Sequence, residues 1–442
     1  MARYLLAASP LLGHVLPMLR IGADLRRRGH DVCLLTGAEF AERITKAGLH
    51  PATLPPQARV YRRSSPPGLT HVRLPAMLRR YLSGRAELQS VFIAPLIGQY
   101  CALQALLRRQ RTDAVLVDIA FTGALPLLLT DGPRPPVLVC GVGPLTLSSC
   151  DTPPFGAALR PDPSVNYTDL TRLVHRTLFA NTTKRLNQAL KAVNVGPSPV
   201  FLSDWPRLAD RLLQLTVPSF EYARRDLPST VNFTGPVVPD SPDGFDPPTW
   251  WDQLTTTRRT VLVTQGTWDN VDLDQLIGPT LRALADRRDL LVIATTGGAP
   301  LPPPNGHFPA NAHVTDYLPY PLLLPHVDVM ITNGGYGGVQ HALRHGVPVI
   351  VAGETADKAE VAARVEYTGA GIDLGTARPT PAVISTAVNR ILTTDNHRIA
   401  AQRIGHDLAV STALDNIADI LANLPDQPIT PKSAQNTASA GE

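Results

Sequence analysis

In LLAASPLLGHVLPML, residues 5 to 19, an apolar run ends in a turn holding a single glycine, Gly13, and then His14. A glycine-rich phosphate loop would ordinarily follow such a first strand, whereas imidazole is the side chain that takes and returns a proton near neutral pH. A hundred positions on, DAVLVD ends in Asp118. If both runs are parallel strands, their carboxyl ends line one crevice, and sequence distance is no obstacle to a His–Asp pair. On residues alone the commonplace roles are the more frequent ones: a turn histidine bonded to backbone and an aspartate capping a helix.

The second chemical feature is ITNGGYGGVQHALRHGVP, residues 331 to 348. The pattern predicts a strand ending at Thr332, then Asn333 and four glycines, Gly334, Gly335, Gly337 and Gly338, before a helix from about Val339. Bare backbone N–H groups at a helix N-terminus make an anion cradle. The spacing is neither GxGxxG at the first strand nor GxxxxGK[ST], which argues against a dinucleotide dehydrogenase and a P-loop NTPase. Close backbone packing explains such a turn equally well. DLD at 272 to 274, with Asp269 nearby, has the form of a DxD metal pair, but it sits at a helix start, where acids favour the dipole. DKAE at 357 to 360 reads in the same way as a solvated helix start.

These residues need a scaffold, and the periodicity supplies one. RYLLAAS is a short apolar run, VLPMLRIGADLRRRGH has helical spacing with Pro17 in its first turn, and DVCLLTG is apolar again, so residues 1 to 37 form one βαβ unit. DAVLVD and PVLVCGVGP add strands, and the first half is expected to be doubly wound. A second α/β series starts at TVLVTQGT, residues 260 to 267. Residues 1–218 are assigned to a first domain, the proline-dense stretch 219–250 to a linker, and 251–420 to a second Rossmann-like domain. The polar tail 424–442 is expected to be disordered. Residues 59 to 98 and 146 to 180 break the α/β rhythm with arginine, proline and aromatic residues, as binding loops do.

Composition bounds the function more loosely. The chain has 442 residues, 44% hydrophobic, with 41 basic against 37 acidic side chains and no lysine block, so neither nucleic acid nor anionic lipid is an expected partner. Abundant arginine, alanine, leucine and proline suggest a GC-rich bacterial genome. Cys33, Cys101, Cys140 and Cys150 lack metal-ligand spacing and read as buried thiols of a reducing compartment. The apolar N-terminal run is broken at Ser9, Pro10, Gly13 and His14, unlike a signal peptide, and no run of 18 apolar residues was found, so a cytoplasmic protein without a membrane span is expected.

GHVLP after the first strand, LVD at a middle strand, QGTWDN opening the second domain and TNGGYGGVQ…GVPVIVAGETADKAE near the end resemble the GT-B glycosyltransferases of the UDP-glycosyltransferase type, in particular their bacterial natural-product and macrolide branch. The resemblance runs from residue 1 to about 420. It implies two Rossmann-like domains facing across a cleft, the first binding an acceptor and the second a nucleoside-diphosphate sugar. It also implies that His14 deprotonates the acceptor hydroxyl, that Asp118 orients the imidazole, and that the sugar is transferred with inversion. The donor site would comprise Gly13, Thr267, Tyr317, Leu318, Asn333, Gly334, Gly335, Gly337, Gly338, Gln340, Asp357 and Lys358. Thr267 would reach the diphosphate, Tyr317 would set its ring against the base with Leu318 contacting the base edge through its backbone, and Asp357 with Lys358 would hold the sugar hydroxyls.

This chain departs from the family in four places. Asn333 replaces a phosphate-touching histidine and Gly338 a Ser or Thr, which leaves the cradle more dependent on backbone donors. His341, next to Gln340, falls where the family has a ribose-binding acid. Lys358 stands for the glutamine of an Asp-Gln pair, keeping a donor and losing an acceptor. The expectation is a metal-independent, cofactor-free hexosyltransferase using UDP-glucose by default and an apolar, multi-ring or macrocyclic acceptor, as a monomer or homodimer. A sugar-nucleotide epimerase or hydrolase on the same fold, and a non-catalytic helper protein, are the alternatives.

Overall fold

A computed structural model describes residues 1–60, 76–238, 244–256, 258–266, 270–303, 307–354 and 357–425. Apolar runs such as LLA, AVLVD and VLVCG have no polar alternation, and they form strands buried on both faces, as parallel strands covered by helices must be. The first sheet comprises β1 (Arg3–Ala7), β2 (Asp31–Thr36), β3 (His50–Thr53), β4 (Ala114–Asp118), β5 (Val137–Gly141), β6 (Arg211–Gln214) and β7 (Val231–Phe233). Its order is β3-β2-β1-β4-β5-β6-β7, with every pair parallel.

The second sheet repeats the scheme with β8 (Arg259–Thr264), β9 (Leu290–Thr295), β10 (Ala312–Thr315), β11 (Val329–Thr332), β12 (Val349–Val351) and β13 (Gly371–Asp373). These run in the order β10-β9-β8-β11-β12-β13, again all parallel. Each half is therefore a doubly wound α/β domain of the Rossmann type. In each, the strand order reverses between the first strand and its neighbour, β1 and β4 in one and β8 and β11 in the other, and a crevice opens there.

Several details differ from the sequence reading. The first helix is Leu12–Arg27, so His14 lies inside its first turn and Pro17 within the helix rather than at its start. β7 comes from the stretch read as linker and completes the first sheet. The last helix, Ala413–Ala422, returns to the first domain, where Ile417 and Leu421 pack with Met18, Ile21 and Leu25. The four cysteines are unpaired, but only Cys140 is buried and Cys101 is exposed. Residues 426–442 of the tail lie outside the described residues.

The excursion 59–98 contributes a long helical run: Ala76–Glu87, a widened π-helical stretch Leu88–Ile93, and Leu96–Arg109. Contrary to the expectation from sequence, Met77–Arg109 is long and apolar enough, by length and composition, to cross a bilayer. Its Leu88, Ile93, Leu96 and Leu103 are core residues of the first domain, as in a buried helix of a globular fold.

The two domains are joined by a buried charge network. Arg364, on the second-domain helix Lys358–Tyr367, is 1% exposed, and its Nε donates to Glu221 Oε2 at 2.7 Å. Its Nη2 donates to the first-domain carbonyl of Leu145 at 2.8 Å, and its guanidinium lies over the Tyr222 ring at 4.3 Å. Glu221 also accepts from the Leu145 amide, and Glu360 on the same helix accepts from the amides of Gly156 and Ala158. Burial alone would lower the Arg364 pKa, but Glu221, Tyr222 and Glu360 outweigh it and hold the cation charged. Removing one member leaves the other charges buried without compensation. Arg364→Met is expected to cost about 3–5 kcal/mol of unfolding free energy, read by denaturant titration against wild type, and a loss below ~1 kcal/mol contradicts this account.

Candidate active site

The first switch point places His14 beside Asp118. β1 and β4 are neighbours, with Ala7 opposite Val117, so the turn after β1 and the last residue of β4 meet. His14 Nδ1 and Asp118 Oδ1 are 2.6 Å apart. Asp118 is fully buried, and its carboxylate accepts from the amides of Ser9 at 2.5 Å and Ala120 at 2.8 Å. A buried carboxylate with both oxygens occupied is a fixed acceptor, which makes Nδ1 the protonated nitrogen and leaves the Nε2 lone pair on the cleft side. Burial pulls the His14 pKa down, but the charge and hydrogen bond of Asp118 and the charge of Asp357 from the other domain raise it above the ordinary value.

The second switch point faces the first. The strand β11 ends at Thr332 as expected, but the following helix, Tyr336–Arg344, begins three residues early, so Gly337 and Gly338 lie in its first turn. Gly334 is required where it stands: its φ is +89°, and a Cβ there would come within 2.8 Å of Val351 Cγ1. The first-turn amides of this helix have no intrahelical acceptor and open on the cleft. The Asn333 amide donates to the Gln265 carbonyl at 2.5 Å, tying the turn after β11 to the turn after β8. Tyr336 donates to Glu221 Oε1 at 3.2 Å, which joins the glycine turn to the interdomain network.

Between the domains lies a cleft of about 1240 Å³. Of the residues singled out from sequence, Gly13, His14, Asn333, Gly335, Gly337, Gly338, Gln340, Asp357 and Lys358 line it. Gly334 sits beneath the turn and Asp118 behind His14. Tyr317 is largely exposed and Leu318 is a core residue, and neither is among the cleft-lining residues. Thr267 lies outside the described residues, as does Asp269. His341 lines the cleft against the Tyr320 ring, and burial, followed by the nearby His345 and Arg344, lowers its pKa to about 4, so it is neutral. Gln340 Oε1 is buried and lacks a hydrogen-bond partner. Of the DLD stretch, Asp272 pairs with Arg378 at 2.6 Å and Asp274 with Arg282 at 2.8 Å.

Three groups in the cleft were missed by sequence reasoning. Glu87 and Arg79, on the helix Ala76–Glu87, line it from the first domain, and Arg378 lines it from the second. Their only sequence signal is that two of them fall in the excursion 59–98. The apolar wall comes from both excursions and neighbouring loops: Leu82, Val91 and Phe92 on one side, and Ile119, Phe155 and Trp205 on another. Of the aromatic residues of the first excursion expected to meet an acceptor, Tyr81 is buried against Phe179 and does not line the cleft. Such a cleft combines an apolar chamber, an imidazole held by a buried acid, a helix N-terminus and paired polar residues.

Comparisons with known proteins place the chain in a family. Residues 283–424 match the family described as erythromycin biosynthesis protein CIII-like, C-terminal domain. The chain is 36% identical to 4'-demethylrebeccamycin synthase of Lentzea aerocolonigenes, over 96% of this chain and 99% of that protein. It is 32% identical to UDP-glucosyltransferase A1 of Starmerella bombicola, over 92% and 88% of the two chains. Among solved structures, the spinosyn rhamnosyltransferase SpnG complexed with thymidine diphosphate has the same fold, with a TM-score of 0.65 at 18% identity, covering 95% of this chain and all of that one.

The electrostatics of the pair are directly measurable. The His14 imidazole is expected to titrate above about 6.5 in the wild type and to fall below its wild-type value in Asp118→Asn, where burial is left as the larger influence. Nitrogen NMR of the imidazole reads both, and an unchanged or higher value in the variant contradicts the assignment of Asp118 as the dominant partner.

Proposed function

The chain belongs to the GT-B glycosyltransferases that use nucleoside-diphosphate sugars on natural products, and on that premise we propose that it is an inverting, metal-independent hexosyltransferase with His14 as its general base. UDP-glucose is the proposed donor and an apolar, multi-ring natural product the acceptor. The observation that carries this reading is the 2.6 Å contact of His14 Nδ1 with buried Asp118, because it turns Nε2 into the basic nitrogen on the cleft wall.

The proton of the acceptor hydroxyl passes to Nε2 as the oxygen forms its bond to the anomeric carbon, and the bond from that carbon to the diphosphate oxygen breaks with the electron pair leaving on phosphate. Attack from the face opposite the leaving group converts an α-linked donor into a β-glycoside. Asp118 and Asp357 stabilise the imidazolium, an effect visible in the direction of the His14 shift. Charge growing on the departing diphosphate meets the first-turn amides of the helix Tyr336–Arg344, which is the work a metal ion would otherwise do.

Donor recognition is divided along the second domain. The unpartnered Gln340 Oε1 suits a ribose hydroxyl, and neutral His341 adds no charge beside it. Asp357 and Lys358 are proposed to hold the hexose hydroxyls, with the lysine donating where an amide would both donate and accept. The UDP-glucosyltransferase relatives support UDP-glucose, and the thymidine diphosphate complex of a structural neighbour makes TDP-sugars the alternative to test. The apolar wall supports the acceptor class. We place the activity in the cytoplasm, where unpaired cysteines are stable.

His14→Ala is expected to lower kcat by roughly 100- to 10,000-fold while UDP affinity stays within about twofold; transfer within a few fold of wild type would show that another group is the base. A thermal-shift panel of UDP-, TDP- and GDP-glucose is expected to give its largest shift with UDP-glucose, since stabilisation follows RT ln(1 + [L]/Kd). A larger shift with another nucleotide replaces the donor assignment.

A further inference from the structure

Glu87 is an ionisable cleft residue to which the mechanism above gives no task, and the buried position of its carboxyl oxygen sets it apart. Arg79, Ser83 and Glu87 recur at four-residue spacing on the helix Ala76–Glu87, so they share one face, and all three line the cleft. The near end of that face is anchored to the second domain: Arg79 Nη2 lies 3.2 Å from Glu354 Oε1, and Arg80 lies 3.9 Å from Asp373. Glu354 stands three residues before Asp357 on the connection that follows β12. Eight residues of helix, about 12 Å of rise, lead from there to Glu87, which lines the same cleft within the electrostatic reach of Asp357 and Lys358. The helix then widens into the π-helical stretch Leu88–Ile93, an irregularity that concentrates at functional sites.

Glu87 Oε2 is buried and has no hydrogen-bond partner. Leaving a buried carboxyl oxygen unpaired is costly for folding, so a fold that keeps one in a ligand cleft has a reason beyond stability. Its charge state fits a polyol partner. Burial first, and then the charge of Asp357, raise the Glu87 pKa well above the carboxylate range, opposed by Lys358. Asp357 is likewise raised by burial and lowered by Lys358 and His14. Two acids facing each other in a partly dry cleft avoid a double negative charge by keeping a proton, and a protonated carboxyl both donates and accepts.

We propose that Glu87 is a specificity-determining residue for the donor sugar, binding a hexose hydroxyl from the acceptor domain while Asp357 and Lys358 bind the opposite edge. The sugar is then held by both domains, and the nucleotide by one. This rests on the donor-site reading of Asp357 and Lys358 given above.

The test is calorimetric binding of UDP and of UDP-glucose, repeated with TDP and TDP-glucose, to wild type, Glu87→Met and Glu87→Gln. Methionine fills the space without polar atoms, and because the buried oxygen it removes has no hydrogen-bond partner, Glu87→Met is expected to melt at or above the wild-type temperature. Its affinity for the nucleoside diphosphate is expected to stay within about twofold while affinity for the sugar nucleotide falls roughly tenfold. Glu87→Gln, which keeps a donor and an acceptor, is expected to recover most of that loss. Equal losses for UDP and UDP-glucose, or no loss in Glu87→Met, overturn the proposal alone. Wild-type protein that binds neither sugar nucleotide overturns the donor-site reading and this proposal with it.

Discussion

The guanidinium of Arg364 is the point on which the geometry of the cleft depends. Two sheets with separate cores contribute the two halves of the site, His14 and Glu87 from one and Asp357 and Lys358 from the other, and a chemical step between them requires a fixed separation. Arg364 sets it by binding Glu221 on the connecting segment, the Leu145 carbonyl of the first domain and Glu360 of its own helix. The helix that carries Arg364 begins at Lys358, so the cleft-lining Asp357 and Lys358 and the anchor are less than two turns apart on one rigid element. Through Tyr336 the same Glu221 also holds the start of the helix behind the anion cradle.

Such a network is expensive to bury, and hydrophobic packing would stabilise the interface at least as well. What charged groups add is direction. A guanidinium has a fixed planar fork, and here its donors point to three different segments, which leaves little freedom to slide or rotate. Arg224 reinforces the same strand of backbone, donating to the carbonyls of Leu145 and Leu147 while burial, offset in part by Glu221, draws its pKa down to about 10. The interface thereby specifies an orientation more than it supplies adhesion.

The parts of this arrangement that were legible in the sequence are the ones governed by local rules. Continuous apolar runs gave β1, β4, β5, β8 and β11, and strand ends gave His14, Asp118 and the glycine turn, because function in an open parallel sheet gathers where strands stop. β3, β7 and β13 are three or four residues long and carry His50, Asn232 or Asp373, so neither length nor alternation marks them. The helix start at Tyr336 was placed too late because glycine is a poor helix former, yet Gly337 and Gly338 occupy first-turn positions. Glu87 and Arg364 were invisible for a different reason. Their surroundings are made by the other domain, and no spacing along the chain encodes that contact. The positions read for the nucleotide base, the Tyr317 ring and the Leu318 backbone, depended on resemblance alone; the Tyr317 ring is largely exposed and the Leu318 side chain is in the core.

On the proposed function, the distribution of charge in the cleft explains how a chain with few side-chain candidates for phosphate contact could serve an anionic leaving group. Asn333 commits one N–H to Gln265, Gly338 offers no side chain, and His341 is neutral, so on the proposed function the fixed positive potential at the cradle comes mainly from peptide dipoles, with Lys358 beside it. Backbone dipoles do not titrate and cannot rotate away, whereas an added cation would strengthen ground-state binding along with the transition state. The acids lie on the other side of this balance. Asp118 is spent on His14, and Asp357 and Glu87 are both held toward their neutral forms by burial, which limits the repulsion a diphosphate would meet. On the proposed function, acids held toward their neutral forms, a neutral His341 and aligned amides let the cleft admit a charged donor next to an apolar acceptor.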